Sequence, residues 1–234
     1  MLFARLSLAA LAMAAAANAK NGFVSTPTGF TTKQGHANTT VRYKEVPTGI
    51  CETTEGVKSY SGYVDTAENE HMFFWFFEAR HNPEKAPLTV WFNGGPGSSS
   101  MIGLFQENGP CRVNPDGKVH NNKHAWSEVS NMLFIDQPVT TGLSYSVVSP
   151  VVYNTYSGSI VRKLDSDECP DDLKKHEVCA TLSLPDETDV PSTTRDTPPA
   201  VWKLLQGFMG AFPEYSNRSL HLTTESYGGH YAPA

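Results

Sequence analysis

The sequence predicts an α/β fold that forms one domain or most of one. Its 234 residues fit that size, and 39% hydrophobic with 11% aromatic residues are enough to build a core. Short apolar, strand-like runs alternate with segments at helical spacing, the order expected when helices flank a sheet. A serine at the abrupt end of the last predicted strand indicates where the chemistry lies.

The predicted strands come first along the chain. Residues 58–66 alternate between polar and apolar side chains, as a half-buried strand does. Residues 71–80, 87–93 and 131–136 are almost continuously apolar, which is typical of central strands with both faces covered. We therefore expect a central, mostly parallel sheet with flanking helices.

A helix and a final strand are predicted near the end of the sequence. Thr197-Pro198-Pro199 is a suitable helix start, because proline is tolerated in the first turn. Apolar residues then recur at helical spacing until Pro213: Val201, Leu204, Leu205, Phe208 and Met209. Residues 147–196 interrupt the pattern with acidic residues, proline, serine and threonine, and we interpret them as a surface excursion whose charges face solvent.

The stretch Thr-Glu-Ser-Tyr-Gly-Gly-His-Tyr, residues 224–231, follows the alternating run 219–223. A strand is therefore expected to stop at Ser226 and turn into a helix. Such a turn holds a serine hydroxyl clear of the sheet, as in the nucleophile elbow of α/β-hydrolases, usually written G-x-S-x-G. Thr224 replaces the first glycine of that pattern, so an ordinary strand-to-loop turn is still an alternative at this point.

A glycine-rich segment upstream favours the catalytic interpretation. Asn-Gly-Gly-Pro-Gly-Ser-Ser-Ser, residues 93–100, lies between a buried strand and an apolar, helix-compatible run at 101–106. A flexible linker does not fit between two such elements, and a phosphate-binding Walker loop needs a lysine that this segment lacks. Bare N–H groups in a Gly-Gly turn can stabilise an oxyanion, which an acyl-transfer enzyme needs together with an exposed serine.

Two more sequence blocks lie between these segments: Glu107-Asn-Gly-Pro, and Asp136-Gln-Pro followed by Gly142-Leu-Ser-Tyr-Ser. In this order the blocks resemble the secreted serine carboxypeptidase family, and its fungal branch most. The resemblance covers roughly residues 50–146 and 197–234. Several independent blocks make a specific match. The resemblance implies a carboxypeptidase α/β-hydrolase domain over residues 20–234, which removes C-terminal amino acids from peptides or proteins through an acyl-enzyme without a cofactor.

The resemblance also implies roles for individual residues. Ser226 is implied to be the nucleophile, with the backbone N–H groups of Gly95 and Tyr227 as the oxyanion hole. Five residues are implied to hold the free α-carboxylate of the substrate: Trp91, Asn93, Gly94, Glu107 and Glu225. Two glutamates can donate hydrogen bonds to a carboxylate only when protonated, and burial and like-charged neighbours favour the protonated form of a carboxyl group. We therefore expect peptide binding under mildly acidic conditions.

The sequence departs from the family pattern in two ways. Ser98 stands where many members have cysteine after Gly-Pro-Gly, so that family disulfide is not expected. The acid and the histidine of the triad follow the serine in this fold, whereas the printed sequence ends at Ala234. His230 is placed one helical turn beyond Ser226, on an element leading away from its hydroxyl, and we expect a structural or site-lining role for it. We therefore expect the domain to be incomplete at its C-terminus and this chain alone to be inactive.

The first 19 residues match a secretory signal peptide. Arg5 gives a positive start, residues 6–16 form an apolar stretch, and Ala17-Asn18-Ala19 is a cleavage site. The apolar run is too short to span a bilayer. We expect a mature protein that begins near Lys20, is secreted or vacuolar, and has no membrane association after cleavage. Sequons at Asn38 and Asn217 are candidate glycosylation sites.

Four cysteines suit an oxidising compartment: Cys51, Cys111, Cys169 and Cys179. Three pairings are possible. The short separation of Cys169 and Cys179 favours a local bridge, which leaves Cys51 to pair with Cys111. A zinc site is the competing interpretation, but neither C-x-x-C nor H-E-x-x-H spacing occurs, and we expect no metal.

The composition argues against one class of partner, and two functions other than a carboxypeptidase are considered. A net charge of −6 without a basic stripe argues against nucleic acid as a partner. An esterase or acyltransferase can use the same scaffold, but its substrate has no carboxylate for Asn93, Glu107 and Glu225 to hold. A non-catalytic secreted glycoprotein or an incomplete gene product is the other alternative, because the triad acid and base are missing from the sequence.

Overall fold

The computed structural model describes residues 21–24, 27–185 and 190–234, so the predicted signal peptide lies outside the described residues. The strands are β1 (Asn21–Gly22), β2 (Thr31–Gln34), β3 (Thr40–Glu45), β4 (Ser59–Ala67), β5 (Glu70–Phe77), β6 (Leu88–Phe92), β7 (Cys111–Val113), β8 (Val119–Asn121), β9 (Asn131–Ile135), β10 (Val148–Asn154), β11 (Ser159–Lys163), β12 (Glu177–Ser183) and β13 (Leu220–Thr224). The α-helices are α1 (Met101–Gln106), α2 (Pro198–Ala211) and α3 (Gly228–Tyr231). By internal contacts the chain divides into two compact units, one built on residues 28–146 and 185–234 and the other on residues 147–184 with β1.

The larger unit is organised by a seven-stranded sheet in the order β13-β6-β9-β5-β4-β3-β2. The pairs β13–β6 and β6–β9 are parallel, and the other four pairs are antiparallel. The predicted α/β class is confirmed, but in the described residues the sheet is mixed rather than mostly parallel. β2 to β5 are consecutive antiparallel neighbours, with short turns between β2 and β3 and between β4 and β5 and a longer loop over residues 46–58 between β3 and β4. β6, β9 and β13 are separated by the longer crossovers that parallel pairing requires.

The elements predicted from apolar patterns are present with small shifts of their bounds. The runs at 58–66 and 71–80 form β4 and β5, those at 87–93 and 131–136 form β6 and β9, and the helical pattern forms α2. All five residues of β6 and of β9 are buried, which explains why both strands consist of apolar runs. No strand was predicted from the sequence at β2 or β3, and every residue of β2 is exposed.

Side chains of the central strands alternate between two apolar clusters, one on each face of the sheet. Val90 and Phe92 of β6 lie in the cluster that α2 covers, where Phe208 packs edge-on against Phe74 with ring centroids 5.6 Å apart. Trp91, the residue between them, lies in the opposite cluster with Leu104 of α1 and the Cys51–Cys111 disulfide. The period of two along β6 therefore places Trp91 on the α1 side of the sheet.

Both disulfide pairs predicted from the sequence are present. Cys51 is bonded to Cys111, closing a loop with a sequence separation of 60 residues, and Cys169 is bonded to Cys179 with a separation of 10. Both cysteines of the longer loop are buried beside β6 and β9.

Removing the longer disulfide with the pair Cys51→Ser and Cys111→Ser is expected to lower the free energy of unfolding by about 2–4 kcal/mol, because the open loop has more entropy when unfolded. Urea denaturation of the whole protein measures this change. The matched control is the pair Cys169→Ser and Cys179→Ser, which opens the shorter loop and should cost less. An equal or larger loss in the control would contradict the prediction.

The smaller unit contains an antiparallel sheet that the sequence did not predict. β10 pairs with β11 on one side and with β12 on the other, and β1 adds a short parallel pair to β12. Val151, Val152 and Cys179 are fully buried in this unit, whereas all five residues of β11 are exposed. So few buried positions leave a weak hydrophobic pattern, which is why the sequence indicated only a surface excursion for residues 147–196.

Candidate active site

Ser226 lies in the sharp turn between β13 and α3. Its backbone has φ of +52°, in the left-handed region that residues other than glycine rarely adopt, and its side chain is exposed. The turn is closed by a hydrogen bond from Gly228 N to the carbonyl of Glu225 (2.8 Å). A Cβ at Gly228 would overlap the side chain of Thr224, whose hydroxyl donates to the Phe92 carbonyl (2.6 Å). Thr224 therefore belongs to a tight strand-to-helix turn despite replacing the first glycine of the motif.

The glycine turn, residues 93–100, follows β6 and lies directly against the Ser226 turn. A Cβ built on Gly94 would be 2.6 Å from Tyr227 N and 2.8 Å from the Glu225 carbonyl oxygen, so only glycine allows this approach. Gly95 is exposed and has φ of +110°, another conformation that favours glycine. Gly97 N donates to the hydroxyl of Tyr231 in α3 (3.2 Å). The two segments that the sequence singled out are therefore in contact.

Asn93 is the central member of the set predicted to hold a carboxylate. Its side chain is buried, and its Oδ1 accepts hydrogen bonds from Trp91 Nε1 (2.8 Å) and Gly103 N (3.2 Å). Its Nδ2 donates to Glu225 Oε1 (2.8 Å). The orientation of the Asn93 amide is thus fixed from both ends, and Glu225 is held next to Ser226 in an exposed position.

Glu107 lies at the C-terminal end of α1, where its side chain is half-buried. Burial and the negative charge of Glu225 raise the pKa of Glu107, while a hydrogen bond with Asn93 and the charge of Arg112 act in the opposite direction. The backbone carbonyl of Glu107 accepts hydrogen bonds from Arg112 Nη2 (2.8 Å) and Asn122 Nδ2 (3.2 Å). The structure therefore brings Glu107, Asn93 and Glu225 into one cluster.

Several residues that support this cluster were missed by sequence reasoning. Trp126 packs edge-on against Trp91 with ring centroids 5.4 Å apart. Asn122 and Arg112 hold the carbonyl of Glu107, as described above. Asp136, at the end of β9, accepts hydrogen bonds from the glycine turn. The block Asp136-Gln-Pro was noticed in the sequence, but nothing in it indicated which groups its carboxylate would meet.

His230 packs its ring against the Tyr227 ring, with centroids 4.8 Å apart, and is exposed. No hydrogen bond joins the Ser226 hydroxyl to a histidine in the part of the chain that the structure describes. The same described residues contain no group of three or more histidine, cysteine, aspartate or glutamate side chains placed to hold a metal ion. The sequon residues Asn38 and Asn217 are both exposed.

A protein-family model described as serine carboxypeptidase matches residues 47–234. The chain belongs to the serine carboxypeptidase family. Among curated relatives, it is 45% identical to "Carboxypeptidase S1" of Penicillium janthinellum over 79% of this chain and 34% of that protein. It is 41% identical to "Carboxypeptidase S1 homolog B" of Arthroderma otae over 99% of this chain and 37% of that protein. The sequence thus spans about a third of the length of these family members.

The fold is also that of a solved member of the serine carboxypeptidase family. Kex1(Δ)p, a prohormone-processing carboxypeptidase from Saccharomyces cerevisiae, matches with a TM-score of 0.51 and 28% identity, over 83% of this chain and 32% of that one. This match agrees with the α/β-hydrolase fold predicted from the Ser226 turn. Among the helices that the structure describes, none is long and apolar enough to cross a membrane.

Proposed function

We propose that the whole protein is a serine carboxypeptidase that releases single amino acids from the C-termini of peptides or proteins. The observation that carries this proposal is the position of the carboxylate-binding cluster relative to the nucleophile. Glu225 precedes Ser226 directly, and Asn93 bonds Glu225 at 2.8 Å. Because Glu225 directly precedes Ser226, a substrate whose α-carboxylate contacts this cluster would present the carbonyl of its last peptide bond near the Ser226 hydroxyl.

The proposed reaction is acyl transfer through Ser226. The hydroxyl oxygen attacks the last peptide carbonyl as a base accepts its proton, and the carbonyl oxygen becomes an oxyanion between the N–H groups of Gly95 and Tyr227. The C–N bond then breaks, the amine of the last residue takes up the proton, and water hydrolyses the ester left on Ser226. We do not assign the base to His230, because its ring packs against Tyr227.

The carboxylate of the substrate would be held by Trp91, Asn93, the Gly94 N–H, Glu107 and Glu225. Trp91 acts through Asn93, because its indole N–H fixes the amide oxygen. Glu107 serves as a donor only in its protonated form, since two carboxylates would repel each other. Its raised pKa extends the protonated form to higher pH than an ordinary glutamate allows.

The pH dependence of peptide hydrolysis tests this proposal. Below the folded-state pKa of Glu107 the side chain is protonated and donates to the substrate, and binding weakens as the pH rises through that value. Glu107→Gln keeps a donor and removes the titration. As the pH rises through the pKa of Glu107, we expect kcat/KM of the parent for a free-acid peptide to fall about tenfold more than that of the variant. This factor corresponds to the loss of one hydrogen bond to a charged group.

The substrates for this test are an N-blocked dipeptide with a free carboxyl group and the same dipeptide as its C-terminal amide and methyl ester. The exposed Glu68 supplies the matched control, and Glu68→Gln should reproduce the parent profile. A carboxypeptidase prefers the free acid. Equal rates on the free acid and the amide, together with a pH profile of Glu107→Gln identical to that of the parent, would show that the cluster does not bind the substrate carboxylate. The esterase or acyltransferase alternative would then be favoured.

We also propose that the protein enters the secretory pathway and is secreted or vacuolar, with glycans at Asn38 and Asn217. Two disulfides and two exposed sequon residues support this proposal. Digestion of the secreted protein with an N-glycosidase, followed by peptide mass analysis, should show aspartate at both positions. Recovery of unmodified asparagine at a site would remove that site from the proposal.

A further inference from the structure

We propose that Asp136 is a positioning residue for the reaction, because its carboxylate anchors the glycine turn that carries Gly95. The inference rests on the proposed function of Ser226 and Gly95 and adds a residue that does not touch the substrate. Asp136 holds the segment that carries the proposed backbone donor to the oxyanion.

Asp136 is completely buried at the end of β9, and its two carboxylate oxygens bind two different loops. Oδ1 accepts hydrogen bonds from Ser99 Oγ (2.8 Å) and Ser100 N (2.7 Å), both at the end of the glycine turn. Oδ2 accepts a hydrogen bond from Leu143 N (2.8 Å). The strand thereby fixes where the glycine turn ends and α1 begins.

Hydrogen bonds of Ser100 connect the end of the glycine turn to its start at Asn93. The Ser100 hydroxyl donates to the Ile135 carbonyl of β9 and accepts from Asn93 N (3.1 Å). Within the turn, Ser98 N donates to the Gly94 carbonyl (3.1 Å). Gly95 lies between these fixed points, so the direction of its N–H depends on where Asp136 and Ser100 place the two ends of the turn.

The site fits a carboxylate better than an amide. All three partners of the Asp136 oxygens are donors, namely one hydroxyl and two backbone N–H groups. Asparagine could accept at one atom only, and its NH₂ group would face a donor. Gly142 fits the same arrangement, because a Cβ there would overlap Asp136 Oδ2 and lie 2.6 Å from Ser99 Oγ.

Loss of this anchor should affect the reaction more than substrate binding. Asn93 stays at the end of β6 and keeps its hydrogen bond to Trp91, which lies on the same strand. Gly95 has no such support and would shift relative to the oxyanion. A misplacement of about 1 Å can cost on the order of a hundredfold in rate, and loss of one oxyanion donor costs about 10²- to 10³-fold.

The test is Asp136→Asn in the whole protein. We expect kcat to fall about ten- to a hundredfold on both the free-acid peptide and the methyl ester, with KM for the peptide changed less than threefold. A peptide aldehyde, whose adduct with a serine places an oxygen in the oxyanion hole, should bind weaker by the same factor as kcat falls. Inhibition by a free amino acid, which occupies only the carboxylate site, should not change.

Two further variants keep the outcome interpretable. Ser99→Ala removes one of the three hydrogen bonds to the Asp136 carboxylate and should lower kcat by a smaller factor than Asp136→Asn. If Asp136→Asn does not fold, Ser99→Ala tests the role of Asp136 in its place. Glu78→Gln changes another buried carboxyl, which bonds the Tyr215 hydroxyl (2.6 Å), and should leave kcat unchanged.

Full kcat in folded Asp136→Asn and in Ser99→Ala would overturn the inference, and so would a change confined to KM. Activity retained in Ser226→Ala would instead overturn the proposed function. An inactive Ser226→Ala protein together with a fully active Asp136→Asn protein would reject the role of Asp136 alone.

Discussion

Replacing Ser226 with alanine is expected to lower kcat of the whole protein by about 10⁶-fold on both peptide and ester substrates, the scale seen when a serine nucleophile is removed. The hydroxyl oxygen forms the bond to the substrate, and the oxyanion hole and substrate binding alone leave only a small residual rate. Because the side chain is exposed and no hydrogen bond of its hydroxyl holds the described structure together, thermal stability should stay close to that of the parent.

The measurement is steady-state hydrolysis, together with labelling by a fluorophosphonate that reacts with activated serines. The parent should be labelled at Ser226 and the variant should not be labelled. Ser216→Ala is the matched control, since it removes a hydroxyl near the start of β13 that donates to the Pro213 carbonyl (2.7 Å), and it should retain full activity. Labelling of a different serine, or activity of Ser226→Ala above about one per cent of the parent, would contradict the assignment.

Replacing Gly94 with alanine is expected to lower kcat by about 10²- to 10³-fold, the scale of losing an oxyanion-hole donor. The added methyl group would stand 2.6 Å from Tyr227 N and 2.8 Å from the Glu225 carbonyl oxygen, both of which are backbone atoms. The glycine turn must then move away from the Ser226 turn. This separates the N–H groups of Gly95 and Tyr227, the two proposed donors to the oxyanion.

The control for this variant is Gly229→Ala in the neighbouring helix α3. A Cβ at Gly229 meets no atom within 4 Å, and alanine favours a helix over glycine by about 1 kcal/mol. Gly229→Ala should therefore be fully active and at least as stable as the parent. Near-parental kcat in folded Gly94→Ala would show that the close approach of the two turns is not needed for the reaction.

The sequence predicted the parts of the fold that rest on strong local patterns. β6 and β9 are almost continuously apolar because both of their faces are buried, and α2 shows helical spacing because Leu204, Leu205 and Phe208 face the core. The turn at Ser226 was predicted because short glycine motifs constrain the backbone directly. A mostly parallel sheet was expected from the sequence, although the four residues between the predicted strands 58–66 and 71–80 are too few for the crossover that a parallel pair needs.

The sequence could not show how distant side chains meet. The partners of Asp136 come from Ser99 and Ser100 on one side and from Leu143 on the other, and three hydrogen bonds of this kind leave no periodic pattern in a sequence. The raised pKa of Glu107 depends likewise on burial and on Glu225, which lies far along the chain. The family resemblance named Glu107 and Glu225 in one set with Asn93, and the structure brings the three side chains into one cluster.

The left-handed backbone at Ser226 means that selection for activity and selection for stability act against each other at this position. A residue other than glycine in such a conformation costs about 1–3 kcal/mol, a sizeable share of the 5–15 kcal/mol by which folded domains are stable. Glycine would adopt φ of +52° with less strain but has no hydroxyl. Sequence searches that optimise stability alone will therefore favour the loss of Ser226, and stabilised variants of this protein should be selected with the serine held fixed.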